Sequence, residues 1–257
     1  MPDLIGPQAL FREAREKFHA DLLESVLTVN AQGVWTNADK DSRASCAIAA
    51  RIAELLRAET VAERLAGQTS GNRFEGLVAE FVRTTFCPLH HLRPGDWTVE
   101  QISGRGRVET LARFTQFSHL SAIAEAVRGN IQLAAAIGNE YAIKPDVVVY
   151  RRPEPDDAIN ATALVVDEEI ATRTALRESF NQRPILHASI SCKWTMRSDR
   201  SQNARSEALN LIRHRKGTVP HIVAVVAEPM PSRISSVAMG TGDLDCVYPA
   251  FPKWRVV

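Results

Sequence analysis

Phe11, Ala14, Phe18, Leu22 and Val26 recur at steps of three and four residues, the spacing of one helical face, and predict a helix from Gln8 to about Asn30. Ile48, Ile52, Leu55 and Leu56 repeat the pattern and predict a second helix from Arg43 to about Leu65, with Asp41 or Ser42 near its cap. Gln68-Thr69-Ser70-Gly71-Asn72 reads as a turn. A third helix is expected from Arg73 to Phe86, ahead of Pro88. The N-terminal third is therefore predicted helical.

Beyond it, Trp97–Ile102 reads as a short strand, residues 103–106 as a turn, and Glu109 to about Ile137 as helix interrupted at Gly129-Asn130. After Pro145 the pattern changes. Residues 146–150, 185–193 and 222–227 are β-branched and largely apolar, as strands buried on both faces are. Ser201–Arg215 lies between the last two as a helix, the length of a strand–helix–strand crossover. The stretch Arg151–Arg183, polar at its start, reads as an insertion with some helix.

With 257 residues, 45% of them hydrophobic, the chain can bury a substantial core, and a single α/β domain over 1–257 is the economical reading. Thirty-one basic and thirty acidic residues nearly cancel, so a nucleic-acid site must come from local clustering. Cys46, Cys87, Cys192 and Cys246 stand far apart with no zinc-ligand spacing, which points away from a structural zinc or a disulfide framework and towards a reducing cytoplasm. The start lacks the pattern of a signal peptide, and no apolar run reaches the ~20 residues of a membrane span.

Chemistry enters at the ends of two predicted strands. Pro145-Asp146 opens one and Lys193 closes another, in Ser189-Ile190-Ser191-Cys192-Lys193. An Asp able to bind a divalent cation beside a Lys able to orient a water is the form of a metal-dependent phosphodiesterase. The position two before the lysine, commonly acidic in such sites, is Ser191, so a further carboxylate must come from elsewhere. Glu207 shares a helical face with Ala204, Ala208, Leu211 and Ile212; Glu75 shares one with Val78, Val82 and Phe86. A carboxylate on an apolar stripe is costly unless paired or bound to metal. Each feature also has an ordinary reading: a chance Pro-Asp before a strand, an arginine partner, a first-turn glutamate near the helix dipole. Their joint occurrence carries the argument.

From Lys193 to Lys216 there are seven basic residues and two acidic ones, an excess of five in a chain of net charge +1. Arg197, Asp199 and Arg200 stand at the start of the predicted helix. Arg can engage O6 and N7 of guanine and Asp can accept from N4 of cytosine, so the trio can read adjacent G·C pairs; the plainer alternative is a solvated helix entrance with internal salt bridges.

With these residues in view, the chain resembles the CCGG-specific type II restriction endonucleases of the PD-(D/E)xK nuclease superfamily. The resemblance spans about Phe18 to Tyr248 and is strongest over residues 187–195, 197–200, 202–207, 231–236 and 67–72. It implies an α/β fold with a restriction-endonuclease-like core, a central mixed β-sheet flanked by helices. It also implies a rearranged active site with Asp146, Ser191, Lys193 and Glu207 as its core and Glu75 as a further glutamate; Asp146, Glu207 and Glu75 then hold one or two magnesium ions. Arg197, Asp199 and Arg200 fall on the readers of the inner CCGG, Arg233 and Asp39 on contacts to an outer G·C pair, and Gln68 on a minor-groove reader. The implied activity is cleavage of both strands of DNA at a palindrome, GCCGGC, leaving 5' overhangs, by a homodimer or homotetramer in the bacterial cytoplasm, alongside a cognate DNA methyltransferase. Pro249–Val257 is expected to depart from the family's pattern.

Two other classes remain. Ser191 with Lys193, or Cys192 alone, can be read as a hydrolase nucleophile; on a strand, however, 191 and 193 share a face and Cys192 points into the other, which favours a core cysteine. A site-specific DNA-binding protein, or a catalytically impaired remnant of such an enzyme, would keep the recognition residues without cleavage.

Overall fold

The structure, a computed structural model, describes residues 9–30, 32–56, 67–103, 108–130, 132–133, 144–196, 198–239 and 242–251; of residues 67–69 and 198–202 only the backbone is described. Among the described residues, five strands form one sheet in the order β1 (Trp97–Gln101), β2 (Val147–Arg151), β3 (Ile185–Lys193), β4 (His221–Val226), β5 (Cys246–Pro249). The first three pair antiparallel, and β3, β4 and β5 run parallel. The expected mixed sheet flanked by helices is what the chain forms.

Alternation along the strands sorts the core into two layers. Val147 and Val149 of β2 with Ile190 and Cys192 of β3 pack on Phe18 and Leu22 of α1 (Leu10–Ser25), Ile52 of α2 (Arg43–Leu55), and Phe74 and Val78 of α3 (Gly67–Phe86). Val148, Leu186 and Ile222 face the other way, onto Leu111 of α4 (Val108–Ala112), Leu120 of α5 (Leu120–Arg128), and Ala208 and Leu211 of a later helix, Ser198–His214. The insertion after β2 contributes one short helix, α6 (Asp156–Ile159), and is closed by the nearly buried Arg177, which pairs with Asp156. Ser198–His214 is α7, the crossover between the parallel β3 and β4, as the spacing predicts. A further helix, α8 (Pro231–Ala238), begins with proline at its first turn, where a missing N–H does no harm.

Several elements differ from the sequence-based expectation. Helix α1 stops at Ser25, because Asn30 accepts from the N–H groups of Gln32 and Val34 and turns the chain, and Val29 bridges Trp35. Helix α2 starts where expected, with Ser42 accepting from the Ser45 N–H, and ends at Leu55; its expected extension falls mostly outside the described residues. The turn expected at residues 68–72 is the first part of α3. Ser70 is buried there, and tertiary packing outweighs the weak helix propensity of Ser, Gly and Asn.

The long helix expected from Glu109 is broken by hydrogen bonds to the start of β3. Gln116, in a 3-10 turn over Thr115–Phe117, donates to the Leu186 carbonyl at 2.7 Å and accepts from its N–H at 3.1 Å, and the Thr115 N–H donates to Pro184 O at 2.9 Å. The interruption at Gly129 holds, and residues 134–143 lie outside the description. The stretch after Tyr248, expected to depart from the family's pattern, contributes Ala250 and Phe251 to the core; Phe251 faces Trp194 and stacks on His19. No helix among the described residues is long and apolar enough to cross a membrane.

A bulge between β2 and β3 near Val149 leaves His187 among Phe86, Trp97 and His221, with Arg93 Nη1 at 3.4 Å from its Nε2. Burial first, then the neighbouring His221 and arginine charges, lowers its pKa to about 4. Because the folded value lies below the unfolded one, this contribution to stability is full above pH ~6.5 and is lost as pH falls through about 4. Urea unfolding at several pH values should therefore show the parent losing more stability between pH 6.5 and 4 than His187→Gln does. Equal pH slopes in the two proteins would refute this.

Candidate active site

Asp146 stands immediately before β2, held on two sides. Its carbonyl accepts from the Ile102 N–H at 2.9 Å, and its Oδ2 accepts from the Cys192 N–H at 2.7 Å. The second bond follows from register. Val147 pairs with Ile190 in antiparallel strands, which sets Asp146 beside Ser191 and Cys192. Lys193, at the end of β3, then brings its Nζ to 3.7 Å from Asp146 Oδ2 and 3.7 Å from Glu207 Oε2.

Glu207 is placed by α7. Ala204, Ala208 and Leu211, on the same helical face, are buried against the sheet, so the helix turns this carboxylate inward. Ser189, Ser191, Glu207, Ala204, Lys144 and Pro145 line a small pocket between α7 and β3. Glu75 projects from α3 towards the same place; its Oε2 accepts from Gln101 Nε2 at 3.4 Å, and Gln101 also donates to the Asn72 carbonyl at 2.8 Å and Asn72 Oδ1 at 2.6 Å. Gly76 leaves room for that side chain, since a Cβ there would stand 3.1 Å from Gln101 Oε1.

The electrostatics report crowded negative charge. Burial, and then the charge of Asp146, raises the Glu75 carboxyl above its ordinary range, partly offset by Gln101, Lys144 and Lys193. Glu207 is raised by burial and by Asp146, against the opposing pull of Lys193 and Ser191. Ser191 Oγ is buried without a hydrogen-bond partner at normal distance. Cys192 lies in the core on the opposite face, its thiol pushed well up by burial, which argues against a thiol nucleophile.

Among the described residues, no three His, Cys, Asp or Glu side chains already converge as a metal-holding group. The donor chemistry nonetheless fits a hard divalent cation: Asp146, Glu207 and Glu75 supply oxygens, two of the three carboxyls are raised by burial and by the charge of Asp146, and the buried Ser191 hydroxyl beside them makes no hydrogen bond of normal length.

The recognition candidates divide. Arg197 lies outside the described residues, and of Gln68, Asp199 and Arg200 only the backbone is described, in α3 and α7. Arg233 and Asp39, almost two hundred positions apart in sequence, are brought together: Arg233 Nη2 donates to Asp39 Oδ2 at 2.6 Å and its Nη1 to the Met196 carbonyl at 2.9 Å. Two residues escaped the sequence reading. Gln101 carried no signal beyond its place at the end of a strand. Glu228 did carry one, an acid directly after the apolar run of β4, and it proves to be buried at 1% exposure.

Comparison with known proteins bears on the family of the chain. Residues 18–253 match the family described as NgoMIV restriction enzyme. The type II restriction enzyme NgoMIV of Neisseria gonorrhoeae is 55% identical over 240 residues, covering 93% of this chain and 84% of that one. Among solved structures, the type IIF restriction endonuclease Bse634I with cognate DNA is 13% identical, with a TM-score of 0.40 over 90% of this chain and 87% of its own. A further Bse634I structure is 15% identical, with a TM-score of 0.38 over 79% and 80%. Those two likenesses are too distant to carry an argument, whereas 55% identity over nearly the whole chain is decisive for the family. The chain belongs to the NgoMIV restriction enzyme family and is a type II restriction endonuclease.

Proposed function

We propose that this endonuclease is magnesium-dependent and cuts both strands of double-stranded DNA at a CCGG-centred palindrome, GCCGGC, leaving 5' overhangs. The observation that carries the reading is the position of Lys193, 3.7 Å from two carboxylates that reach it from different elements, Asp146 before β2 and Glu207 on α7. The family resemblance supports the choice of site. All 257 residues then form one endonuclease domain, acting in the bacterial cytoplasm beside a methyltransferase that protects the same sequence.

Asp146 and Glu207 would hold one or two magnesium ions, with Glu75 assisting. When bound, magnesium supplies a hard Lewis acid that draws charge from the phosphate oxygens. Asp146 is kept in place by the Cys192 N–H, so its carboxylate does not have to reorganise when substrate arrives. The Lys193 ammonium can orient the attacking water and offset the charge that grows on the phosphate as the 3'-oxygen leaves. Ser191 stands where other nucleases of this superfamily carry an acid; with Glu207 reaching in from α7, a serine there avoids adding a further negative charge to those of Asp146, Glu207 and Glu75. In this reading Arg197, Asp199 and Arg200 contact the inner G·C pairs, Arg233 and Asp39 the outer pair, and Gln68 the minor groove.

Digestion of a sequenced plasmid with and without magnesium, followed by mapping of the ends, tests activity, metal and site together. Binding in calcium without cleavage in magnesium would instead indicate a site-specific binding protein. Asp146→Ala is expected to abolish cleavage while keeping sequence-specific binding, because it removes a metal ligand and no base contact. Near-parental cutting by that variant would remove Asp146 from the site.

Arg200→Ala is expected to lose about 1–3 kcal/mol of discrimination at its guanine. Equal losses on cognate and scrambled duplexes would make it a backbone contact. A palindrome cut in both strands calls for one active site per strand, hence at least a two-fold dimer on DNA and, by the resemblance, a tetramer. Light scattering with and without cognate duplex should show it, and plasmids with two sites should be cut faster than plasmids with one. A strict monomer cutting both at equal rates would overturn this.

A further inference from the structure

Away from the cleavage site, the chain encloses a carboxylate that none of the chemistry above uses. Glu228 lies two residues beyond β4, where the parallel register has just paired Val226 with Lys193, and its side chain has no exposed surface. A charge so deeply buried is unfavourable unless it is fully engaged. Here its Oε1 accepts from Ser45 Oγ at 2.9 Å, its Oε2 accepts from the Met196 N–H at 3.3 Å, and Arg233 Nη1 stands 3.6 Å from the same oxygen.

These contacts reach both members of the Arg233–Asp39 pair. The Arg233 guanidinium is planar, so fixing Nη1 by Glu228 and the Met196 carbonyl, and Nη2 by Asp39, sets its orientation as well as its place. Ser45 joins Glu228 to Asp39 as well, since its Oγ accepts from the Asp39 N–H at 2.9 Å while donating to Glu228. In the major groove a G·C pair presents two acceptors on guanine next to a donor on cytosine. An arginine and an aspartate held side by side are of the matching donor and acceptor types.

We propose that Glu228 is a positioning residue for base recognition, orienting Arg233 beside Asp39 so that the two read one base pair outside CCGG as a unit. The proposal rests on the reading of Arg233 and Asp39 as outer-pair contacts. Without Glu228, the long arginine side chain regains rotamer freedom and its fork is no longer presented in one orientation.

The test uses the full chain in calcium, with affinities measured for duplexes carrying each of the four outer base pairs around CCGG and for duplexes altered inside CCGG. Thermal melting is followed in parallel. Glu228→Gln keeps the shape of the side chain and removes its charge. It is expected to reduce the parent's outer-pair preference about tenfold, within what one bidentate base contact is worth, leave discrimination inside CCGG unchanged, and have no further effect in an Arg233→Lys background. An unchanged outer preference, or an equal weakening on every duplex, overturns the proposal.

Arg233→Lys alone separates this result from failure of the underlying reading. If that variant keeps the parent's outer preference, the outer-pair reading is wrong and the proposal falls with it. If it loses the preference while Glu228→Gln keeps it, the role of Glu228 alone is overturned. Should Glu228→Gln fail to fold, Glu228→Asp, which keeps the charge but draws it back from Arg233, decides the matter: a selective loss at the outer pair supports the proposal, and an unchanged preference overturns it.

Discussion

The candidate site depends on the antiparallel pairing of β2 with β3. Val147 opposite Ile190 leaves Asp146 beside the last residues of β3, close enough for the Cys192 N–H to hold its carboxylate at 2.7 Å. A slip of one residue would turn every side chain of β2 to the other face and carry Val148 out of its layer of the core. The register is therefore set by hydrophobic burial, and the position of Asp146 follows from it. The parallel pairing of β3 with β4 acts in the same way at the other side, placing Glu228 beside the residues that follow Lys193.

What this register brings together is poorly compensated in charge. Asp146, Glu75 and Glu207 crowd around Lys193, and burial adds to the strain on both glutamates. A fold selected for stability alone would place apolar side chains on these faces of α3 and α7. Carboxylates kept there at a cost are the usual mark of a site that works on something positively charged or does acid–base chemistry. The second cluster, around Glu228, also carries a carboxyl raised by burial, but there the acids and Arg233 are tied to one another and to Ser45 and Met196 by hydrogen bonds, so it is held where the first is poised.

Much of this was legible along the chain. The core strands, the crossover helix between β3 and β4, and the inward face of α7 follow from the alternation and the three-to-four-residue repeats, because burial on a strand or a helix leaves a periodic trace. Asp146 and Lys193 stand out as charges at the ends of apolar runs, and Glu207 and Glu75 as charges on apolar stripes. Glu228, a charge at the end of another apolar run, was equally visible in kind. It has no meaning until its partners Ser45, Met196 and Arg233 are known, and these come from three distant segments.

The sequence by itself determined which faces are buried and which residue types can do phosphodiester chemistry, since both depend on local spacing and on side-chain identity. The tertiary structure decided where helices end and which charges meet. Helix α3 begins at Gly67 through residues that favour turns, because burial of Ser70 and Phe74 outweighs propensity, and the helix expected from Glu109 breaks because Gln116 finds the backbone of Leu186. Asp39 with Arg233, and Lys193 between Asp146 and Glu207, are contacts between segments far apart in the chain. No local periodicity encodes such pairings; they arise when the sheet closes and its two faces are covered.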